Sequence, residues 1–331
     1  MLNKNGQLDQ TLLAGLDLFL AEAAKRDIKV VLYFSNFWQW SGGMTQYLNW
    51  FAGTPLIDPD LTGRWNDYME QSADFYTCAP CQAHYQKTIR QIIERKNTAN
   101  GRAYNNDNTI MSWQLANEPR PGGSPFSQTR SDNYITWVDQ TARFIKTLAP
   151  KQLVSTGSEG VMGSQEDEPT YIKAHQSPAI DYLTVHMWIK NWGWFDIHNP
   201  EKTFPSAKQK AKSYLDNHIR IAKTLNKPLV LEEFGAERDN GKIAPNTSTS
   251  YRDQYYAFVF NIIEQNLTPL AGSNFWAYGG FGKAGKTPEL WQVGDDYLGD
   301  PPQEPQGLNS VFAGDKSTWK IIRKHANAIT Q

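Results

Sequence analysis

The sequence predicts an α/β fold of the (β/α)8 TIM-barrel type, with the first two βα units of the ring absent from the front of the chain. Three observations lead there. Short apolar runs alternate with longer amphipathic stretches, the pattern of a parallel sheet covered by helices. Aromatic and acidic residues follow the apolar runs rather than precede them, as at the C-terminal mouth of a barrel. Two of those runs end in carboxylates, Glu118 and Glu233, 115 residues apart. That spacing is three βα units of about 38 residues, near the roughly 30 of a barrel unit plus loop insertions. Three steps around an eight-strand ring bring both acids to one mouth. Six βα units are found where closure needs eight, and the chain opens in a helix.

Taken in order, residues 8–26 carry Leu12, Leu13, Leu16, Leu20, Ala23 and Ala24 at helical spacing, with Lys25 and Arg26 in the last turn, where cations suit the helix dipole. Lys29 to Ser35 reads as a buried strand opening into a long aromatic loop that contains Phe37, Trp38, Trp40, Trp50, Phe51 and Trp65. A helix follows over about 80–96. Thr109 to Ala116 is the next strand, ending in Asn117, Glu118 and Pro119; the proline is expected to push Glu118 into an extended conformation. A helix over about 132–148 leads to the strand Leu153–Gly157 and an acidic loop with Glu159, Glu166, Asp167 and Glu168. The strand Tyr182–His186 delivers His186, then Trp188, Trp192 and Trp194. A helix over about 205–225 precedes the strand Pro228–Gly235, which carries Glu232 and Glu233. A helix over 249–265, the strand Ala271–Trp276 and a last helix capped by Asp315 or Ser317 complete the chain. No composition break marks a second domain, so residues 1–331 read as one catalytic domain.

Composition excludes several classes. With 33 basic and 34 acidic residues, nothing points to nucleic acid or an anionic membrane surface. No run is apolar for long enough to span a bilayer, and the N-terminus does not read as a signal peptide, so export would need a leader. Cys78 and Cys81, with His84 nearby, lack a fourth zinc ligand, which leaves a local disulfide or two free thiols. The stretch Gly280–Thr287 matches a phosphate-loop pattern, but Pro288 follows where a helix should open. The 12 tryptophans, more than a core requires, favour a ligand that stacks on rings. Paired acids at strand ends together with such rings suggest acid–base work on a sugar.

Several motifs, in order and spacing, resemble glycoside hydrolase family 5 and, within it, the endo-β-1,4-mannanases. They are Asn117-Glu118-Pro119, His186-x-Trp188, Glu233-Phe234-Gly235 and Trp276, with further likenesses at Phe37-Trp38, Gly42-Gly43, Gln46-Tyr47 and Ser158-Glu159-Gly160. The likeness runs from residue 7 to the C-terminus. It implies a (β/α)8 barrel of retaining enzymes, with Glu118 as acid/base and Glu233 as nucleophile. It also implies that Asn117 hydrogen-bonds the sugar 2-hydroxyl, that His186 orients the centre and that Trp276 floors the −1 subsite, followed by a non-proline cis peptide. Two departures stand out. The family's second-strand arginine has no counterpart, and many relatives have tyrosine where this chain has Trp188.

Retention needs two carboxyls about 5–5.5 Å apart, one attacking the anomeric carbon while the other protonates the leaving oxygen. Glu118 must then stay protonated near neutral pH and Glu233 ionised. Glu232 is the rival of Glu233, because adjacent strand residues face opposite sides. Trp38, Trp40, Trp192, Trp194 and Trp291 are candidates for more distant sugar subsites. The resulting expectation is a monomeric, secreted or periplasmic endo-β-1,4-mannanase acting on mannan, glucomannan or galactomannan, without metal or cofactor. The alternatives are a β-1,4-glucanase (cellulase) of the same family and an inactive, truncated carbohydrate-binding remnant.

Overall fold

The structure is a computed structural model that describes residues 2–284, 291–301 and 304–330. It is a mixed α/β architecture whose strands pair in parallel. The chain divides into two compact units, Met1–Thr184 and Val185–Gln331.

In the first unit, α1 (Gln10–Lys25) opens on Asp9, whose carboxylate accepts the Thr11 and Leu12 amides and satisfies two otherwise unpaired donors. It leads to β1 (Val30–Tyr33). The region expected as a long aromatic loop contains helices α2 (Gly43–Ala52), α3 (Pro59–Thr62) and α4 (Trp65–Ala73). They bury Met44, Tyr47, Leu48 and Tyr68; of the aromatics expected in that loop, Phe37 and Trp38 are buried, Trp40, Trp50 and Phe51 half-buried and Trp65 exposed. Next come α5 (Ala79–Ile93), β2 (Ile110–Gln114), α6 (Gln128–Leu148), β3 (Leu153–Ser155) and α7 (Glu168–His175). The sheet runs β1-β2-β3, with Leu32 opposite Trp113 and Trp113 opposite Val154. Trp113 is fully buried, and its indole N–H donates to Gln152 Oε1 at 2.8 Å. Cys78 and Cys81 are joined in a disulfide at the start of α5, so they offer no thiolates to a metal.

The unit boundary falls within β4 (Leu183–Met187). The second unit continues with α8 (Pro200–Leu225), β5 (Leu229–Phe234), α9 (Ser250–Glu264), β6 (Leu270–Ser273), β7 (Tyr278–Gly280), β8 (Val311–Phe312) and α10 (Lys316–Ile329). Its main sheet has the order β4-β5-β6, and β7 with β8 forms a separate parallel pair that the sequence pattern did not reveal. Helix α8 starts one turn before the expected position: Pro200 supplies a preset φ at the N-terminus, and Pro205 lies inside the helix. Asp315 precedes α10 but does not cap it. Its carboxylate instead takes two bonds of 2.6 Å from the Arg238 guanidinium and one from the Phe312 amide. Charge pairing between buried groups wins over the cap. The end of the phosphate-loop-like stretch, from Gly285 to Thr287, lies outside the described residues.

Candidate active site

The end of β2 is stitched to both neighbouring chain segments. The Asn117 amide donates to Ser35 O at 2.8 Å, and Phe37 N–H donates back to Asn117 O at 3.0 Å. On the other side, the Glu118 amide donates to Gly157 O at 2.8 Å. Gly157 has φ +76°, and a Cβ there would lie 1.9 Å from Ala116 O, so only glycine allows this approach. These ties overturn the extended conformation expected for Glu118. Its φ is +50°, a region that costs a non-glycine residue on the order of 1–3 kcal/mol and persists where the surroundings over-determine it. The proline clash is local, and three tertiary hydrogen bonds outweigh it.

Glu118 is buried, and its Oε2 accepts the Trp38 indole N–H at 2.6 Å. Trp38 is itself buried and lies nearly parallel to Tyr68, at 11° and 6.2 Å. Beside the acid, Asn117 Nδ2 donates to Asn36 Oδ1 at 3.3 Å. The first unit therefore brings Trp38, Asn117 and Glu118 together. It adds two residues that were not singled out as site residues from the sequence. The Arg120 guanidinium sits 4.8 Å from the Trp38 ring centroid and bonds the buried Glu159 carboxylate. The available signal was position: Arg120 follows Asn-Glu-Pro directly, and Glu159 is another acid just past a strand end.

The second unit holds the other expected residues. His186, buried on β4, has Nδ1 at 3.3 Å from Glu233 Oε2 and Nε2 at 3.9 Å from Glu232 Oε2. Both glutamates thus lie near one imidazole, Glu233 the nearer of the two. Backbone alternation sends the Cβ atoms to opposite sides, but a three-bond side chain lets both carboxylates reach one imidazole. Gly235 makes room for the aromatics: a Cβ there would lie 2.6 Å from Trp276 O and 3.2 Å from the Trp188 ring. Trp276 N–H donates to Phe234 O at 2.8 Å, and Trp276 meets Trp188 edge to face at 6.2 Å. The Trp276–Ala277 peptide is cis, as the resemblance implied. Behind β5, the fully buried Arg252 ties Ala236 O to Ser310 O and Leu308 O, and burial pushes its pKa down. Trp192 packs edge-on against Trp194 and against Tyr214 of α8.

Over residues 1–331 the sequence matches the family described as GH family 5 beta-mannosidase-like. The chain belongs to glycoside hydrolase family 5. Among its family 5 relatives with solved structures is a Glycoside Hydrolase Family 5 Mannosidase from Rhizomucor miehei, 36% identical, with a TM-score of 0.87 over 98% of this chain and 77% of that one. An endo-beta-1,4-mannanase from Thermotoga petrophila is 26% identical, with a TM-score of 0.66 over 96% of this chain and 61% of that one. A curated relative, the putative mannan endo-1,4-beta-mannosidase 4 of Arabidopsis thaliana, is 27% identical over 97% of this chain and 72% of its own length. This family 5 chain is therefore a glycoside hydrolase of the mannanase and mannosidase group, and its relatives imply a (β/α)8 barrel. Among the described residues, no helix is long and apolar enough to cross a membrane.

Proposed function

We propose that the protein hydrolyses internal β-1,4-mannosidic bonds of mannan, glucomannan or galactomannan by a retaining double displacement. Glu233 attacks the anomeric carbon as a carboxylate while Glu118 passes its proton to the departing glycosidic oxygen. In the second half, water gives its proton to Glu118, attacks the same carbon and releases Glu233. His186 orients the Glu233 carboxylate, Asn117 takes the sugar 2-hydroxyl, and Trp276, Trp188 and Trp192 offer rings or indole N–H groups to the substrate, while the indole N–H of Trp38, expected for the substrate, is taken by Glu118. Residues 1–331 are read as one catalytic domain of the (β/α)8 class that its relatives imply. A polymeric substrate implies action outside the cytoplasm, by a monomer.

The observation that carries this reading is that Glu118 and Glu233 each stand at the C-terminal end of a parallel strand of a family 5 chain, each held by a nitrogen-bearing side chain. A second reading, release of single mannose units from chain ends, is favoured by the 36% identity to a family 5 mannosidase. A mutant of that Rhizomucor miehei enzyme has been solved in complex with mannosyl-fructose. Digestion of mannan separates the two. An endo-acting enzyme drops viscosity at once and releases mixed oligosaccharides, whereas an exo-acting one releases mannose with little change in viscosity. Proton NMR of the first product should report the β-anomer. Hydrolysis of carboxymethylcellulose but not of mannan would transfer the activity to the glucanase class, and hydrolysis of neither would overturn it.

A further inference from the structure

We infer that Arg120 and Glu159 are positioning residues for proton donation: together with Trp38 they brace the carboxyl of Glu118 and assign its transferable proton to Oε1. The inference rests on the reading of Glu118 as the acid/base.

An indole N–H can only donate. At 2.6 Å from Trp38 Nε1, Glu118 Oε2 is therefore an acceptor, and a proton carried on that oxygen would compete with the bond. The proton then resides on Oε1. This works only while the indole holds still, and the structure holds it from several directions. Tyr68 and Trp40 stack with Trp38 at 11° and 29°, and the Arg120 guanidinium faces its ring at 4.8 Å.

Arg120 is in turn fixed at both ends. Its Nη2 and Nε lie 2.5 and 2.7 Å from Glu159 Oε2, and its carbonyl accepts the Tyr76 hydroxyl at 2.8 Å. Trp38 follows β1, Glu118 and Arg120 follow β2, and Glu159 follows β3, so the brace joins the ends of three paired strands. A buried ion pair is a poor source of stability, since apolar residues of the same volume often do as well or better. A planar, always-charged group that can both stack on an indole and fork onto a carboxylate is what arginine supplies and lysine does not. The arrangement suits orientation better than it suits stability.

The test compares two substrates that differ in their need for the proton: a mannooligosaccharide, and a dinitrophenyl β-mannobioside whose leaving group departs unprotonated. For Trp38→Phe and Arg120→Met, kcat/KM on the oligosaccharide should fall by about 10–100-fold, the usual penalty for a misplaced catalytic group, with a much smaller fall on the activated substrate. Glu159→Gln and Arg120→Lys should show the same split in milder form, and they carry the test if Arg120→Met fails to fold. In indole-¹⁵N-labelled protein, one N–H resonance should move in both Glu118→Gln and Arg120→Met. Equal losses on both substrates would mean a merely structural role and overturn the inference. If Glu118→Gln itself shows no split, the acid/base reading fails instead. A split in Glu118→Gln without one in the other variants removes the brace alone.

Discussion

The two compact units solve the same problem, holding a carboxylate at a strand end, in different ways. In the first, Glu118 meets a neutral donor that can never take its proton, and the nearby cation, Arg120, is neutralised by Glu159. In the second, Glu233 meets His186, a group that can carry charge, with the Glu232 carboxylate on the other side of the ring. The indole can only donate, whereas an imidazole can donate from one nitrogen and accept at the other, or carry charge between two carboxylates. The contrast teaches that carboxylates at strand ends can be held by partners of different chemistry, which is the difference the two proposed roles call for.

The largest expected effect tests those roles directly. Glu118→Gln and Glu233→Gln should each lower turnover on mannan by about 10²–10⁴-fold or more, with the fold unchanged by circular dichroism. The activated dinitrophenyl substrate should restore much of the loss for Glu118→Gln and none for Glu233→Gln. Equal behaviour of the two variants would erase the contrast.

A stability difference between the units comes next. In the first unit, burial pushes the Asp17 pKa up, but bonds from Arg95, Thr98 and Tyr104 outweigh it and hold the carboxyl well below its ordinary range. A depressed folded pKa contributes stability that is fully present above the unfolded value of about 3.9 and is lost as pH falls through the folded one. In the second unit, burial raises the Asp300 pKa, although Asn309 and the amides of Gly307 and Leu308 oppose it. Its contribution has the opposite sign: it is present below the unfolded value and lost as pH rises through the folded one. Arg95→Met should cost about 3–5 kcal/mol in urea unfolding, the usual penalty for stranding one partner of a buried pair. Amide exchange across an acid titration should show the first unit loosening as Asp17 protonates, and Asp17→Asn should flatten that response.

The smallest effect sharpens the comparison at the histidine. His186→Ala removes a hydrogen-bonding partner of a charged group, worth about 1.5–3 kcal/mol, or roughly 10–150-fold in kcat/KM. Because it acts on the nucleophile side, the loss should be the same for activated and unactivated substrates. A leaving-group split in His186→Ala would place it with the acid instead.

Much of this was legible in the chain itself. The apolar runs ending in Glu118, His186 and Glu233 are strands because short, flanked apolar segments have little alternative, and they carry the two acids on which the proposed function rests. The caps at Asp9 and Asp167 need only neighbours in sequence, so that signal lay in the chain without being drawn on, and α7 stands where an acidic loop was expected. The tertiary structure alone decided the left-handed turn at Glu118, the diversion of Asp315 from its helix to Arg238, the meeting of Glu232 and Glu233 at one imidazole, and the Trp38–Arg120–Glu159 brace. Each depends on groups tens of residues apart, whose charge and hydrogen-bonding demands override the preference of any single segment. Periodicity reads what a segment does alone; only packing shows which distant donor reaches it.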